Sequence, residues 1–288
     1  MKLLNLRFSL STTNRQRSAT KLAAVLSLTS LIATSGCYQK PGPPNASQRA
    51  AEAAQVVDGP DVKANAVWRS YYGLGEKAIE PDKVVSSGFA CSFPSGEKNT
   101  TYFVTVLHVA EDREQPITEP GDAKRIRQSV RTIGVTEAYG AGDGMKTIGM
   151  MAESPGESFS SESSVLFDVA LVEPGTVRMK PFKLASSFPD AGSKIYLATA
   201  AYGGAPPSQE THEAKILSVD ADGAVLYQFS NERLSLQATP GAPLLNAEGE
   251  VIGMHIQASD AVESVGGQGV SIIEYWKRYS SAAEASLQ

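Results

Sequence analysis

The sequence predicts an all-β domain closed by a C-terminal helix. Short runs of β-branched and aromatic residues recur from Val84 to Ile256, and turn signals such as Asp222-Gly223 and Glu248-Gly249 separate them. The last stretch, Ile272 to Ser286, instead has helical composition with apolar residues along one side. Many short strands followed by one helix fit a barrel or a sandwich.

Taken in order, Val84 to Phe93 alternates small and apolar residues, and Thr101 to Val109 is a β-branched and aromatic run. The Pro94-Ser95-Gly96 turn between them makes a hairpin. Further strands are predicted at Val130 to Val135, Val165 to Val172, Lys194 to Ala200, Ala214 to Val219, Ala224 to Phe229, Pro243 to Leu245 and Val251 to Ile256. Residues 111–165, rich in Glu, Ser and Gly, read as a long loop-rich insertion between strands.

The N-terminal segment reads as an address. Lys2, Arg7, Arg15, Arg17 and Lys21 form a basic start, Leu22 to Ala33 is uncharged and mostly apolar, and Thr34-Ser35-Gly36 leads into Cys37. Residues 1–37 are therefore expected to be a signal peptide. Its end resembles a bacterial lipobox, which implies lipidation at Cys37; ordinary signal-peptidase cleavage nearby is the alternative. Tyr38 after the cysteine implies the outer membrane by the sorting rule of such lipoproteins, so the mature chain is expected there or in the periplasm. Residues 38–80 are expected to be a flexible linker, the composition of Gln39 to Ala64 being rich in Pro, Gly, Ala and polar residues. The folded domain is then expected over 81–282.

Charge and cysteine content narrow the partners. The 288-residue chain has a net charge of -5 and a pI near 5.4, with no basic block beyond the N-terminus, so nucleic acid is not an expected partner. With Cys37 lipidated, Cys91 would be a lone thiol buried in an apolar strand, and no disulfide framework follows; a Cys37–Cys91 bridge is the alternative if Cys37 is unmodified. His212 and His255 share no metal-ligand spacing with His108, so no metal or other cofactor is expected.

Three segments, in order, resemble the trypsin-like serine protease superfamily. Phe103-Val104-Thr105-Val106-Leu107-His108-Val109 is similar to the strand leading into the base histidine. Phe167-Asp168-Val169-Ala170-Leu171-Val172 is similar to the segment around the orienting aspartate. Ala238-Thr239-Pro240-Gly241-Ala242-Pro243-Leu244-Leu245, followed by Glu248-Gly249-Glu250-Val251-Ile252-Gly253-Met254, resembles the nucleophile loop and its hairpin. The separations, 60 residues from His108 to Asp168 and 72 from Asp168 to Pro240, suit a compact bacterial member. The resemblance implies two orthogonal six-stranded β-barrels with a C-terminal helix, the first over 81–178 and the second over 179–282.

The resemblance also assigns roles. His108 falls at the base position and Asp168 at the orienting position, but the nucleophile position falls on Pro240. Proline has neither a hydroxyl to attack with nor a backbone N–H to donate, so the attacking atom and one of two oxyanion donors are both missing. The other donor position falls on Ala238, where the family has glycine. Thr239 is the nearest substitute nucleophile, with Ser235 further upstream. Leu234, six residues before Pro240, implies an apolar specificity pocket. The expected function is therefore that of a degenerate protease homologue binding an extended peptide or an envelope protein, with the membrane reached through the lipid anchor. An active hydrolase using Thr239 is the alternative.

Overall fold

The computed structural model describes residues 59–62, 66–74, 86–137, 144–151, 164–199, 210–236, 238–262 and 264–285. The signal peptide with Cys37, most of the 38–80 linker, and Val84, Val85 and Ala200 of the expected strands lie outside the described residues.

A first sheet is built from β1 (Val67–Leu74), β2 (Ser86–Ser95), β3 (Lys98–Val106), β4 (Val130–Glu137), β5 (Lys146–Thr147), β6 (Val169–Val172) and β7 (Phe182–Lys183). Its order is β5-β4-β1-β2-β3-β6, and β7 runs parallel to β2 beside this path. A second group, β8 (Lys194–Thr199), β9 (Glu210–Val219), β10 (Ala224–Phe229), β11 (Pro243–Leu245), β12 (Val251–Ser259) and β13 (Gly266–Ser271), closes into a barrel in the order β10-β13-β12-β11-β8-β9. Helix α1 (Pro120–Ser129) precedes β4, and α2 (Ile272–Ala285) ends the fold. Two β units thus follow one another in the chain, and a helix closes the fold.

Local chemistry explains the turns. Gly96 in the β2–β3 turn, Gly223 between β9 and β10, and Gly249 between β11 and β12 all have positive φ, which the predicted turn signals require. Apolar residues of both units share one core, with Phe89, Val104 and Leu171 of the first sheet in the same cluster as Leu245, Met254 and Ile272 of the second half. Helix α2 adds a second tie between the halves. Its Trp276 ring lies 4.5 Å from that of Phe93 and 5.1 Å from that of Tyr279, and its indole N–H donates to the Pro94 carbonyl at 3.1 Å.

Several expectations are corrected. Residues 67–74, inside the 38–80 segment expected to be a linker, form β1, which lies between β4 and β2. The domain thus starts before 81. The strand carries no clean alternation because Trp68, Ser70 and Tyr71 are all buried, and a buried serine in it reads as polar surface. The 111–165 stretch is not simply loop: it holds α1, of which only Ala123 and Ile126 are buried, too few to show a helical stripe. The first unit is a seven-stranded sheet rather than a six-stranded barrel, and β7, paired with β2, lies beyond the boundary drawn at 178. Strands expected to run through His108 and Asp168 stop short, since both residues sit in 3₁₀ turns. Glycine-rich β13 gave no strand signal at all.

Because β1 is internal to the sheet, a chain lacking residues 1–80 should lose cooperative thermal unfolding by circular dichroism. A chain lacking only residues 1–58 should keep it.

Candidate functional site

The candidate site lies where the two units meet. Strands β3 and β6 pair in antiparallel register with Val106 opposite Val169. Beyond that pair the chain leaves β3 into a 3₁₀ turn, His108–Glu111, and enters β6 from another, Val165–Asp168. The Leu107 N–H donates to the Asp168 carbonyl at 2.8 Å, and the Ser164 hydroxyl accepts from the Leu166 N–H at 3.3 Å to cap the second turn. The register therefore brings His108 and Asp168 together.

Their contact is double. One Asp168 oxygen (Oδ1) accepts the His108 backbone N–H at 2.7 Å, and the other (Oδ2) lies 2.6 Å from the His108 Nδ1. Both residues are buried. Burial pushes the Asp168 carboxyl above its ordinary range, opposed by the His108 contacts and by the Ile117 backbone. With Nδ1–H donating to the carboxylate, Nε2 carries the lone pair a general base needs. Among the described residues no hydroxyl bonds that nitrogen.

The scaffold behind the pair is polar and closed. The Ser70 hydroxyl lies 2.6 Å from that of Ser86 and 3.0 Å from that of Thr105, and Thr105 donates to the Ser87 carbonyl at 2.8 Å. The Tyr72 hydroxyl donates to the Val106 carbonyl at 2.6 Å, and burial together with the Asp168 charge pushes this phenol up. Outside, Glu111 pairs with Arg125 and Arg113, and Asp122 with Arg113, joining the His108 turn to α1.

The Ala238–Ala242 loop, from the second group of strands, is fastened against β2 of the first sheet. Ser87 holds it twice: its backbone N–H donates to the Pro240 carbonyl at 2.7 Å and its hydroxyl to the Ala238 carbonyl at 2.9 Å. On the other side the Gly241 N–H donates to the His255 carbonyl and the His255 N–H to the Ala242 carbonyl, both at 2.8 Å. Gly241, at φ 91, is obligatory, since a Cβ there would lie 2.0 Å from the Ser87 carbonyl oxygen. Ala238 takes the same left-handed region at φ 60 without glycine's freedom. Its N–H has no partner among the described residues.

The remaining candidates do not converge on His108. Thr239 is buried, and its hydroxyl donates to the Leu236 carbonyl at 2.6 Å. Ser235 is exposed, and Leu234 packs partly buried against the core of the second barrel. The arrangement can hold a base and its orienting carboxylate; among the described residues no hydroxyl is hydrogen-bonded to the His108 ring.

Two contributors escaped sequence reasoning. Ser87 stands in Ser86-Ser87-Gly88, which reads only as part of a strand. His255, two residues past Gly253 in the hairpin, stands in no metal-ligand spacing or other pattern that marks it. It is fully buried, its Nδ1 meets the Tyr227 hydroxyl, and its Nε2 has no partner among the described residues. Burial and, secondarily, the His108 charge push its pKa down to about 3.

No family model matches the chain, and no curated protein does. Solved structures do. The chain is similar to the Rv3671c protease of M. tuberculosis in its inactive form, at 16% identity over 76% of this chain and 89% of that one, with a TM-score of 0.46. It is similar to the serine endoprotease of Yersinia pestis at 16% identity, over 77% of this chain and 64% of that one, TM-score 0.47. The MamO protease domain of Magnetospirillum magneticum matches at 20% identity over 72% and 92%, TM-score 0.42. Identities this low say nothing of activity, so the roles of His108, Asp168 and the loop rest on their own geometry.

Two outcomes follow from these environments. Relieving the left-handed alanine by Ala238→Gly should add about 1 kcal/mol of stability, a rise of about 2–4 °C in Tm by calorimetry. For His255, the folded pKa near 3 lies below the unfolded value near 6.5, so its stabilising contribution is complete above about pH 6.5 and is lost as pH falls. Urea melts should show the unfolding free energy dropping by up to about 1.4 kcal/mol per pH unit below that point, and His255→Gln should remove this share of the slope.

Proposed function

We propose that this chain is a catalytically degenerate trypsin-like serine protease homologue that binds an extended peptide or an envelope protein in the cleft between its two units. One observation carries the reading: His108 and Asp168 are paired, while Pro240, which the sequence resemblance aligns with the nucleophile position, has neither a hydroxyl nor an N–H. The loop that positions the site persists without the atom that reacts.

A binding edge supports the peptide reading. Strand β12 pairs with β11 only as far as Met254, whereas its pairing with β13 continues to Ser259. The β11-side edge of residues 256–259 therefore carries no strand among the described residues, and an extended segment could add there through main-chain hydrogen bonds. The basic start, apolar run and Cys37 of residues 1–37 support export and lipid anchoring, at the outer membrane or in the periplasm. A hydrolase built on Thr239 is disfavoured by the bond from its hydroxyl to Leu236.

A fluorophosphonate probe tests this directly. No labelling of the purified chain, together with saturable binding of extended peptides by calorimetry, is the expected outcome. Stoichiometric labelling at Thr239, abolished by His108→Ala, would overturn it.

A further inference from the structure

One short segment, residues 146–151, forms a seam between β4 and β6 of the first sheet. On one side Lys146 and Thr147 pair with β4, and the Ile148 N–H donates to the Ile133 carbonyl at 3.0 Å. On the other side Met151 bridges Val172, the Gly149 N–H donates to the Glu173 carbonyl at 2.8 Å, and the Glu173 N–H donates to the Met150 carbonyl at 3.0 Å. A Cβ at Gly149 would lie 2.6 Å from the Glu173 oxygen, so this approach needs glycine.

The side chain of Met151 ends at a cation. It packs, partly buried, against two apolar clusters, one around Ile126 of α1 and one around Trp68 and Val172. Its sulfur accepts from Arg127 Nη1–H at 3.4 Å, while Arg127 Nη2–H donates to the Val169 carbonyl at 2.6 Å. Arg127 Nε is buried and has no partner among the described residues. A thioether is a weak acceptor, and a guanidinium bonds best to an oxygen that carries negative charge. Arg127 therefore has N–H groups to offer an oxygen that Met151 does not yet carry.

We infer that Met151 is a modification site, oxidised at sulfur to the sulfoxide by a peroxide, and that Arg127 binds the new oxygen and so fastens α1 to the seam. The sulfur lone pair attacks one peroxide oxygen, the O–O bond breaks, and the second oxygen leaves as water. Sulfur loses two electrons and the peroxide gains them. A sulfoxide ordinarily disrupts apolar packing because it is polar. At Met151 the cation is already in place, so the effect is reversed and the modified chain is the more stable one. Met150 is the internal contrast: it is 81% exposed, and its oxidation adds a polar group to a side chain that water already surrounds. This inference stands apart from the peptide-binding reading and does not use the cleft.

The test treats the full chain with hydrogen peroxide, locates each sulfoxide by mass spectrometry of its peptides and follows Tm by calorimetry. Met151 should gain one oxygen. The Tm should then rise by about 2–4 °C, the shift expected when one charge-assisted hydrogen bond is added to a domain of this size. Met151→Leu should remove the rise, and Met150→Leu should keep it. Independently of any variant, the Arg127 Nε–H resonance of 15N-labelled protein should shift on oxidation. Four results would each overturn the assignment: no oxygen on Met151 once Met150 is fully oxidised, an unchanged or lowered Tm, a rise that persists in Met151→Leu, or a stationary Arg127 resonance.

Discussion

The geometry around Pro240 depends on one close approach, that of Gly241 to the Ser87 carbonyl. Any side chain at 241 would collide with that oxygen, so the loop is pressed against β2 of the first sheet at a distance only glycine allows. Ser87 then fastens the carbonyls of Ala238 and Pro240, while His255 fastens the backbone of Gly241 and Ala242 from the barrel side. All four bonds use carbonyl and amide groups that exist whatever residue occupies 240, and the one amide proline lacks is not among them. The loop geometry consequently does not depend on an N–H at residue 240.

The same reasoning applies to His108 and Asp168. A buried carboxylate is retained only where donors compensate it, and Asp168 has two from His108 in addition to the Ile117 backbone. One of those donors is the backbone N–H that begins the 3₁₀ turn after β3, so the aspartate shapes the chain as well as orienting the ring. Removing one partner of such a buried pair typically costs about 3–5 kcal/mol, because the other is left uncompensated. The pair therefore has a structural reason to persist that owes nothing to proton transfer. Its presence alone does not argue for hydrolysis.

Much of this was legible in the chain because the informative residues sit in strongly patterned segments. The His108 and Asp168 strands and the Pro240 loop each carry β-branched or glycine-proline signals, and the antiparallel register of β3 with β6 converts their spacing in sequence into contact. What stayed hidden was hidden for physical reasons. Strand β1 buries Ser70 in a hydroxyl cluster with Ser86 and Thr105, and polar residues satisfied by one another look like solvent-facing ones. Helix α1 buries only two side chains. His255 gave no signal because its meaning lies in Tyr227, 28 residues earlier on another strand, and in a nitrogen without a partner.

The places where the molecule departs from its most comfortable arrangement are also informative. Asp168 and the Ser70, Ser86 and Thr105 hydroxyls all have partners, so the rear of the site is complete as it stands. Among the described residues, a left-handed alanine at 238 whose N–H has no partner and the unpartnered buried Nε2 of His255 lie at the loop, while Trp68 Nε1 and Arg127 Nε are unpartnered elsewhere. Local costs of this kind persist when the surrounding structure holds them in place, and they gather where a ligand meets the protein. Ser87 and His255 supply that restraint through the backbone. A cleft held in this way need order little of itself on binding, so a peptide could be gripped through main-chain contacts alone. Under the proposed peptide-binding reading, this backbone restraint is what a ligand would meet, and it asks nothing of the side chain at residue 240.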